Sequence, residues 1–336
     1  MKKTACILPI FLFISFFIKA QDPHFSQFFS SPLTLNPALT GKFDGTLRVA
    51  GNYRNQWPAF NNVYTTSTLS VDISVMQKSL PENDTWGVGI LALTDKAAGG
   101  ILTNNYVGVS TSYHKALNED GFSQIGAGFQ ATYGQKRLDR SKLYFEDQLT
   151  PFGFTGVSLD LFPSENVDIN YFDVNAGLVY TGSTSDKNNF YIGASMYHIN
   201  RPKESFKGGT WNISPRTTIN AGGYFPVSDL LVLHTSAIYQ VQSKSSETVF
   251  GGALAANLNE GEVNASAVYA GAWVRLKDAL IPYIGLEFSG IRIGASYDIN
   301  TSSLRAASQS RGGMEISLVY VKRPAGSGKG IPCPKF

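Results

Sequence analysis

Apolar side chains recur at every second position through most of this chain, and this alternation limits its fold more than any other feature. In residues 291–299, for example, isoleucine, alanine and tyrosine alternate with Arg292, Gly294, Ser296 and Asp298. A period of two places successive side chains on opposite faces of a β-strand, whereas an amphipathic helix repeats about every 3.6 residues. The sequence therefore predicts an all-β protein whose strands have one apolar face and one small or polar face.

Fourteen segments show this alternation, and most of them are about ten to fifteen residues long. Strands of soluble domains usually have about five or six residues, whereas a strand that crosses a bilayer at a tilt needs about nine to eleven. Only 16% of the residues are charged. We therefore expect a 14-stranded antiparallel transmembrane β-barrel of the outer membrane. The segments are 45–54, 62–75, 85–94, 104–116, 121–135, 171–182, 188–198, 214–226, 229–241, 247–257, 263–276, 279–288, 290–299 and 311–322.

The connections between these segments support a membrane barrel, which has short periplasmic turns and longer extracellular loops. If the N-terminus lies in the periplasm, the three longest connections, 136–170, 199–213 and 300–310, all fall on the extracellular side. A secreted β-sandwich or propeller is the alternative fold. Its second face, rich in Gly, Ala and Ser, would make a poor core and is too uncharged for an ordinary solvated surface.

The two ends of the chain differ in composition from the barrel region, residues 45–322. Residues 1–20 have a basic start, an apolar run and a small residue at Ala20, a pattern that predicts a cleaved signal peptide and an exported protein. Residues 323–336 are rich in Gly and Pro, which predicts a flexible, basic periplasmic tail. Cys333 lies in this tail, and after signal-peptide removal it has no cysteine partner.

The segment 21–44 precedes the first strand and contains three phenylalanines close together. Large apolar side chains are seldom left in water as a cluster, so we expect this segment to fold back into the barrel as a short plug. A frayed export leader is the alternative. The rings expected to hold the plug are Phe25, Phe28 and Phe29.

No motif for enzymatic or cofactor chemistry is found. The four histidines form no HExxH motif or equivalent metal-ligand pair, and no nucleophile elbow or phosphate-binding loop is found. The formal net charge of +3, without a basic run, gives no support to nucleic-acid binding. We therefore expect a protein that is not an enzyme, with no catalytic residue, no metal, no cofactor and no nucleic-acid partner.

Candidate partner-contact residues lie in the expected extracellular loops and in the tail. Arg54 closes the first strand and Trp57 lies in the first outer loop. Together they are interpreted either as a partner contact or as interior bonding by Arg54 with interfacial anchoring by Trp57. Loop 136–170 combines charges with many aromatics, and a long ordered loop is often functional. It contributes Tyr144, Phe145, Asp147 and Phe152; loop 199–213 contributes Arg201 and Trp211; the tail contributes Lys335 and Phe336.

Several motifs resemble the PorP/SprF family of type IX secretion outer-membrane proteins. Most of the likeness is carried by QDPHFSQFFSSPLTLNPALTG (21–41) and NYRNQWPAF (52–60), and it continues in LYFEDQLTPFG (143–153), MYHINRP (196–202) and CPKF (333–336). The triplet that begins with Asn36 and Pro37 is also similar to one near the N-terminus of FadL-type transporters. Those transporters share a fourteen-stranded barrel with an N-terminal plug, so the resemblance adds Asn36 and Pro37 to the expected plug.

The resemblance implies an outer-membrane barrel associated with type IX secretion or gliding motility. The implied partners are a secreted surface protein or adhesin with a C-terminal sorting domain, and periplasmic peptidoglycan-binding or lipoprotein components. Membrane lipid or lipopolysaccharide is expected around the barrel. The alternative function is FadL-like transport of small hydrophobic molecules, which the polar residues of the expected lumen face disfavour.

Overall fold

The protein is described from a computed structural model, which covers residues 21–58, 64–155, 158–159, 166–185, 188–205, 211–258, 266–303 and 305–323. The predicted signal peptide, residues 1–20, lies outside the described residues. So do residues 324–336 of the predicted tail, with Cys333, Lys335 and Phe336.

The strands are β1 Leu47–Gln56, β2 Tyr64–Val75, β3 Thr85–Ala97, β4 Leu102–Ala116, β5 Ser123–Asp139, β6 Leu149–Thr150, β7 Gly153–Phe154, β8 Asn166–Ser185, β9 Asn188–Tyr197, β10 Arg216–Pro226, β11 Leu231–Gln242, β12 Ser245–Asn257, β13 Ala267–Arg275, β14 Ala279–Phe288, β15 Ile291–Asn300 and β16 Arg311–Lys322. The α-helices are α1 Pro32–Leu35 and α2 Arg305–Ser308. Short 3₁₀ turns lie at Phe28–Ser30, Pro37–Leu39, Ala98–Gly100, Arg140–Lys142 and Glu146–Gln148. No helix within the described residues is long and apolar enough to cross a membrane.

Fourteen of these strands close into one antiparallel barrel. Each strand pairs with the next along the chain, except that β5 pairs with β8 because β6 and β7 form a separate hairpin in the intervening loop. The barrel closes where β16 pairs back with β1. Closure satisfies the backbone hydrogen bonds of every barrel strand on both sides, as the interior of a bilayer demands. The prediction of a 14-stranded antiparallel barrel is confirmed.

The two ends of the barrel carry different connections. We call the end with connections 57–63, 98–101, 140–165, 198–215, 243–244, 276–278 and 301–310 the outer end. We call the end where β1 begins and β16 finishes the inner end. The three longest connections lie at the outer end, which therefore corresponds to the extracellular side by the loop-length rule for such barrels.

Alternating side chains separate a lipid-facing surface from the lumen. In β14, Ile281 and Tyr283 are almost fully buried, whereas Ile284 and Phe288 are exposed on the outside of the barrel. The other strands repeat this pattern, with small and polar side chains pointing inwards. If the register of a strand shifted by one residue, its apolar side chains would point into the lumen and its polar side chains into lipid. The preference of the apolar side chains for lipid therefore fixes the register of each strand.

The pair β5 and β8 extends further at the outer end than the alternation predicts. The predicted strands are 121–135 and 171–182, whereas pairing continues to Asp139 opposite Asn166. This extension lies beyond the lipid-facing part of the barrel, where apolar and polar residues no longer alternate. An exposed pair, Arg137 with Asp168, lies on this extension at 2.9 Å.

The segment 21–45 runs through the lumen as a plug, from the outer end to the inner end. Near the outer end the backbone N–H of Asp22 donates to Gln242 at 2.7 Å. Near the inner end the N–H of Gly41 donates to Asp72 at 2.6 Å. Most of the segment is buried, including the expected plug residues Phe25, Phe28, Asn36 and Pro37; Phe29 is partly buried.

Candidate functional site

A buried ionic cluster near the outer end holds the first part of the plug. Arg54 Nη2 and Arg275 Nη1 each lie 2.8 Å from Asp298 Oδ2. The backbone N–H of Ser26 donates to Glu315 Oε2 at 2.7 Å, and its hydroxyl donates to Asp298 Oδ1 at 2.7 Å. Two guanidinium groups thus face two carboxylates out of water. Because each charge is compensated by the others, removal of one partner would leave an uncompensated buried charge.

Aromatic packing holds the plug on one wall of the barrel. The ring of Phe29 stacks on Trp273 with centroids 4.7 Å apart and meets the edge of Tyr283 at 5.5 Å. Phe28 packs edge-on against Phe29 at 5.7 Å. Such pairs contribute about 0.5–1.5 kcal/mol each beyond the area that they bury. These contacts join the plug to strands β13 and β14.

Asn36 fastens the plug to the opposite wall at mid-height. Its side-chain oxygen accepts a hydrogen bond from Ala38 N at 2.9 Å, and its amide donates to the Leu178 carbonyl at 3.0 Å. The plug approaches this wall so closely that a Cβ added to Gly177 would lie 1.9 Å from the Asn36 oxygen. The lumen wall therefore needs glycine here for the plug to fit.

A second buried ion pair holds the plug near the inner end. Arg48 forms a bidentate pair with Asp72, at 3.0 Å from Nε and 2.7 Å from Nη2. The same Nη2 donates to the Leu39 carbonyl at 2.9 Å, and Asp72 accepts from Gly41 N. Both charged side chains are fully buried. The pair therefore also binds the plug backbone at two points.

The beginning of the plug is tied to the outer connection that follows β9. His198 Nε2 lies 2.7 Å from Asp22 Oδ2, and its Nδ1 lies 3.0 Å from Asp173 Oδ2. Burial alone would lower the pKa of His198, but the two carboxylates outweigh it and raise this pKa to about 9. Burial would raise the pKa of Asp22, but His198 and Arg216 hold it below its usual range. At neutral pH this attachment is therefore an ion pair.

This ion pair makes the outer attachment of the plug pH-dependent. Because the pKa of His198 is raised on folding from 6.5 to about 9, its stabilisation is complete below about pH 6.5 and is lost as the pH rises through 9. In a Cys333→Ser background, a nitroxide attached at Gln21→Cys should become more mobile between about pH 7 and pH 10, measured by electron paramagnetic resonance. The same label with His198→Gln should show no such transition, and an equal transition in both proteins would contradict the role of His198.

The exposed aromatic residues of the outer connections lie away from the apolar belt of the barrel. Tyr144 is 74% exposed and Phe152, at the tip of the β6–β7 hairpin, is fully exposed. Tyr144 packs on Phe154 with ring centroids 5.1 Å apart. Trp211, in the connection 198–215, is 61% exposed. These connections therefore present large apolar side chains to water.

The remaining candidate residues have different surroundings. Arg54 is buried in the ionic cluster, which corresponds to the interior bonding considered as one alternative for it. Trp57 is half-buried and packs edge-on against Tyr64 at 5.5 Å. Asp147 and Arg201 are exposed, and Phe145 is half-buried. Lys335 and Phe336 lie outside the described residues.

Sequence reasoning missed the ion pairs that fasten the plug. It expected Asp298 in the lumen, but it did not pair Arg275 with it, nor Arg48 with Asp72. The alternation did contain a signal, since these charged residues occupy the lumen-facing positions of their strands, together with small or polar residues. A charge at that phase of a membrane strand requires an opposite charge nearby. Arg48 and Asp72 are opposite each other in the β1–β2 hairpin, whereas Arg54 and Arg275 reach Asp298 from other strands of the closed barrel.

The comparison with protein families decides the identity of the chain. The model of the family described as type IX secretion system membrane protein PorP/SprF matches residues 17–320. The chain belongs to the PorP/SprF family. The resemblance based on the N-terminal and NYRNQWPAF motifs is thereby confirmed. The family match includes the plug as well as all the barrel strands up to Tyr320 of β16, so the plugged barrel is the PorP/SprF unit.

Solved structures similar to this PorP/SprF protein are outer-membrane barrels of low sequence identity. The toluene transporter TbuX of Ralstonia pickettii is 13% identical, with a TM-score of 0.49 over 88% of this chain and 93% of that chain. A FadL homologue of Pseudomonas aeruginosa is 11% identical, with a TM-score of 0.43 over 85% of this chain and 92% of that chain. No curated protein matches at a significant level. The strand pairing of the chain itself therefore remains the basis for its fold.

Proposed function

We propose that this PorP/SprF protein is a plugged outer-membrane barrel that anchors or routes a secreted surface protein at its outer end. At its inner end it contacts periplasmic components of the type IX secretion machinery. The observation that carries this proposal is the cluster of exposed aromatic side chains on the outer connections of a barrel whose lumen is occupied by its own chain. The secreted partner is the class implied by the family, a protein with a C-terminal sorting domain.

The occupied lumen favours anchoring over transport. The plug is fastened at the outer end by the Arg54 cluster, at mid-height by Asn36 and near the inner end by Arg48. Two interior cavities lined by described residues measure about 40 and 60 Å³. A cavity that holds benzene is roughly 150 Å³. Transport of small hydrophobic molecules would therefore require the plug to move, whereas anchoring requires only the present shape.

The outer connection 140–165 has the properties of a binding surface. Exposed apolar patches outside the membrane belt mark interaction sites, and tyrosine, tryptophan and phenylalanine are enriched in them. Hydrogen bonds also join the described residues of this connection: Asp147 accepts from Ser158 Oγ at 3.0 Å, and Gln148 O accepts from Thr155 N at 2.8 Å. A preorganised surface loses less conformational entropy when it binds a partner.

The inner end offers a second contact surface, at the start of the tail. Arg323 follows β16 and pairs with Asp44 at 3.3 Å. The tail therefore begins beside the end of the plug, on the side that faces the periplasm. Its basic residues, with Lys335 and Phe336 at the terminus, are the part that we propose to contact periplasmic machinery.

Removing the exposed rings tests the outer contact. The triple substitution Tyr144→Ser, Phe152→Ser and Phe154→Ser should lower the amount of secreted protein recovered with the tagged barrel by about tenfold or more. Buried aromatic anchors of an interface often contribute about 2 kcal/mol or more each. Recovery is measured by mass spectrometry after gentle detergent extraction, at matched barrel levels.

A control of equal apolar loss is available at the inner end. Leu117, Leu230 and Leu258 are exposed in the inner turns by 51–62%, and their replacement by serine should leave recovery of the secreted protein unchanged. If the outer triple variant retained its secreted partner as well as this control does, the proposed outer contact would be wrong. Recovery of the wild-type barrel with bound small hydrophobic molecules and without a protein partner would favour transport instead.

A further inference from the structure

One sector of the outer rim carries exposed cations that the anchoring function does not use. This sector comprises the outer connections between β11 and β16, which follow one another around the barrel. Among the described residues, none of these four cations is paired with a carboxylate. We call them the cationic rim: Lys244, Lys277, Arg305 and Arg311.

The acidic side chains of the same sector are already paired. Asp298 is bound by Arg54 and Arg275, and Glu247 lies 3.1 Å from His24. Asp278, in the turn beside Lys277, lies 3.2 Å from Arg275. Asp298 and Glu247 are mostly buried and Asp278 is 41% exposed, but each of the three already faces Arg275 or His24. The outer rim of this sector therefore has an uncompensated positive charge.

An exposed apolar surface lies directly below the cationic rim. Leu276 is adjacent to Lys277, and Leu280, Ile299 and Met314 are exposed on the neighbouring strands. The connections 243–244 and 276–278 are short, so their lysines stay close to the membrane boundary. Neighbouring strands are about 4.8 Å apart, which spaces successive outer connections of this sector by about 10 Å. The sector thus offers positive charges above and apolar side chains beneath, along one stretch of the barrel.

We propose that the cationic rim binds the phosphate groups of a phosphorylated glycolipid in the outer leaflet, with the acyl chains of that lipid on the apolar surface below. Lysine and arginine are the side chains that bind phosphate, and arginine does so with two parallel hydrogen bonds. A soluble anion would use the cations but not the apolar surface. A lipid uses both. The site begins next to connection 198–215, since β10 pairs with β11, and it extends from there away from connection 140–165.

The proposal is tested with the full-length barrel, delipidated in detergent and inserted into phosphatidylcholine nanodiscs that contain diphosphoryl lipid A. Retained lipid A is counted by native mass spectrometry. The variant Lys244→Gln, Lys277→Gln, Arg305→Gln and Arg311→Gln should retain about tenfold less lipid A than the wild-type barrel. The loss should be larger at low ionic strength, since salt screens exposed charges.

A control variant removes the same number of exposed cations elsewhere: Lys78→Gln, Lys96→Gln, Lys203→Gln and Lys322→Gln. It should retain lipid A within about twofold of the wild-type barrel. Heat-modified mobility on gels verifies that both variants contain a folded barrel. Equal loss in both variants, or equal retention of lipid A and its dephosphorylated form by the wild-type barrel, would overturn the proposal. Complete displacement by millimolar inorganic phosphate would assign the rim to soluble anions and overturn it as well.

Discussion

Replacing Arg54 by methionine is expected to lower the free energy of unfolding of the barrel by about 3–5 kcal/mol, because Asp298 and Glu315 would each lose a buried positive partner. The loss should appear in urea unfolding in detergent micelles, followed by tryptophan fluorescence and by heat-modified mobility on gels. The plug should also become more sensitive to protease near Ser26. The guanidinium of Arg54 donates a hydrogen bond to the hydroxyl of Ser26, and this hydroxyl in turn donates to Asp298.

An exposed ion pair provides the matched control for this substitution. Arg137 and Asp168 lie 2.9 Å apart with side chains 48% and 33% exposed. The change Arg137→Met should leave the free energy of unfolding close to the wild-type value, since exposed pairs contribute little. Adding Glu315→Gln to Arg54→Met should recover part of the stability, because the remaining carboxylate Asp298 still has Arg275. Equal losses for Arg54→Met and Arg137→Met would contradict the structural role of the cluster.

Replacing Gly128 by valine is expected to displace the middle of the plug while the barrel still forms. A Cβ at this position would lie 2.4 Å from backbone atoms of Pro37 and Ala38, which have no flexible side-chain end that could yield. Overpacking of this kind costs about 1–3 kcal/mol or more, and each 1.4 kcal/mol changes a population by about tenfold. We therefore expect a rise of about tenfold or more in the conductance of the barrel in planar bilayers, together with new proteolysis within residues 32–44.

Gly51 is the control for the effect of valine in a barrel strand. Its added Cβ would meet only the Thr68 carbonyl oxygen, at 3.6 Å, which is ordinary contact. The change Gly51→Val should leave both the conductance and the protease pattern at wild-type levels. If Gly128→Val also left residues 32–44 resistant to protease and the conductance at the wild-type level, the tight fit between the plug and this wall would not be what retains the plug.

The number of strands and the direction in which their side chains point could be predicted from the sequence. Alternation is a local property, because a residue of a strand faces either lipid or lumen and its neighbours face the other side. The inward orientation of Asp298 follows from its neighbours Tyr297 and Ile299. The ends of β5 and β8 could not be predicted in the same way, because outside the bilayer both faces are solvated and the hydrophobic signal disappears.

The interior contacts depend on positions far apart in the chain. Arg54 lies 244 residues from Asp298, and Asn36 lies 142 residues from Leu178. The sequence left two alternatives for Arg54, a partner contact or interior bonding, because both require a charged planar group near the outer end of β1. The closed barrel decided between them by bringing β13, β15 and β16 around the plug.

The sequence by itself determined a fourteen-stranded barrel, because hydrophobic alternation and strand length are properties of neighbouring residues. Only the tertiary structure decided how the N-terminal segment is held, since its ion pairs, its aromatic stack and its contact with Gly128 each depend on where the closed barrel places its strands around the plug. Burial then makes each of these contacts strong, because a charge or a hydrogen-bonding group enclosed in the lumen has no water to replace a lost partner.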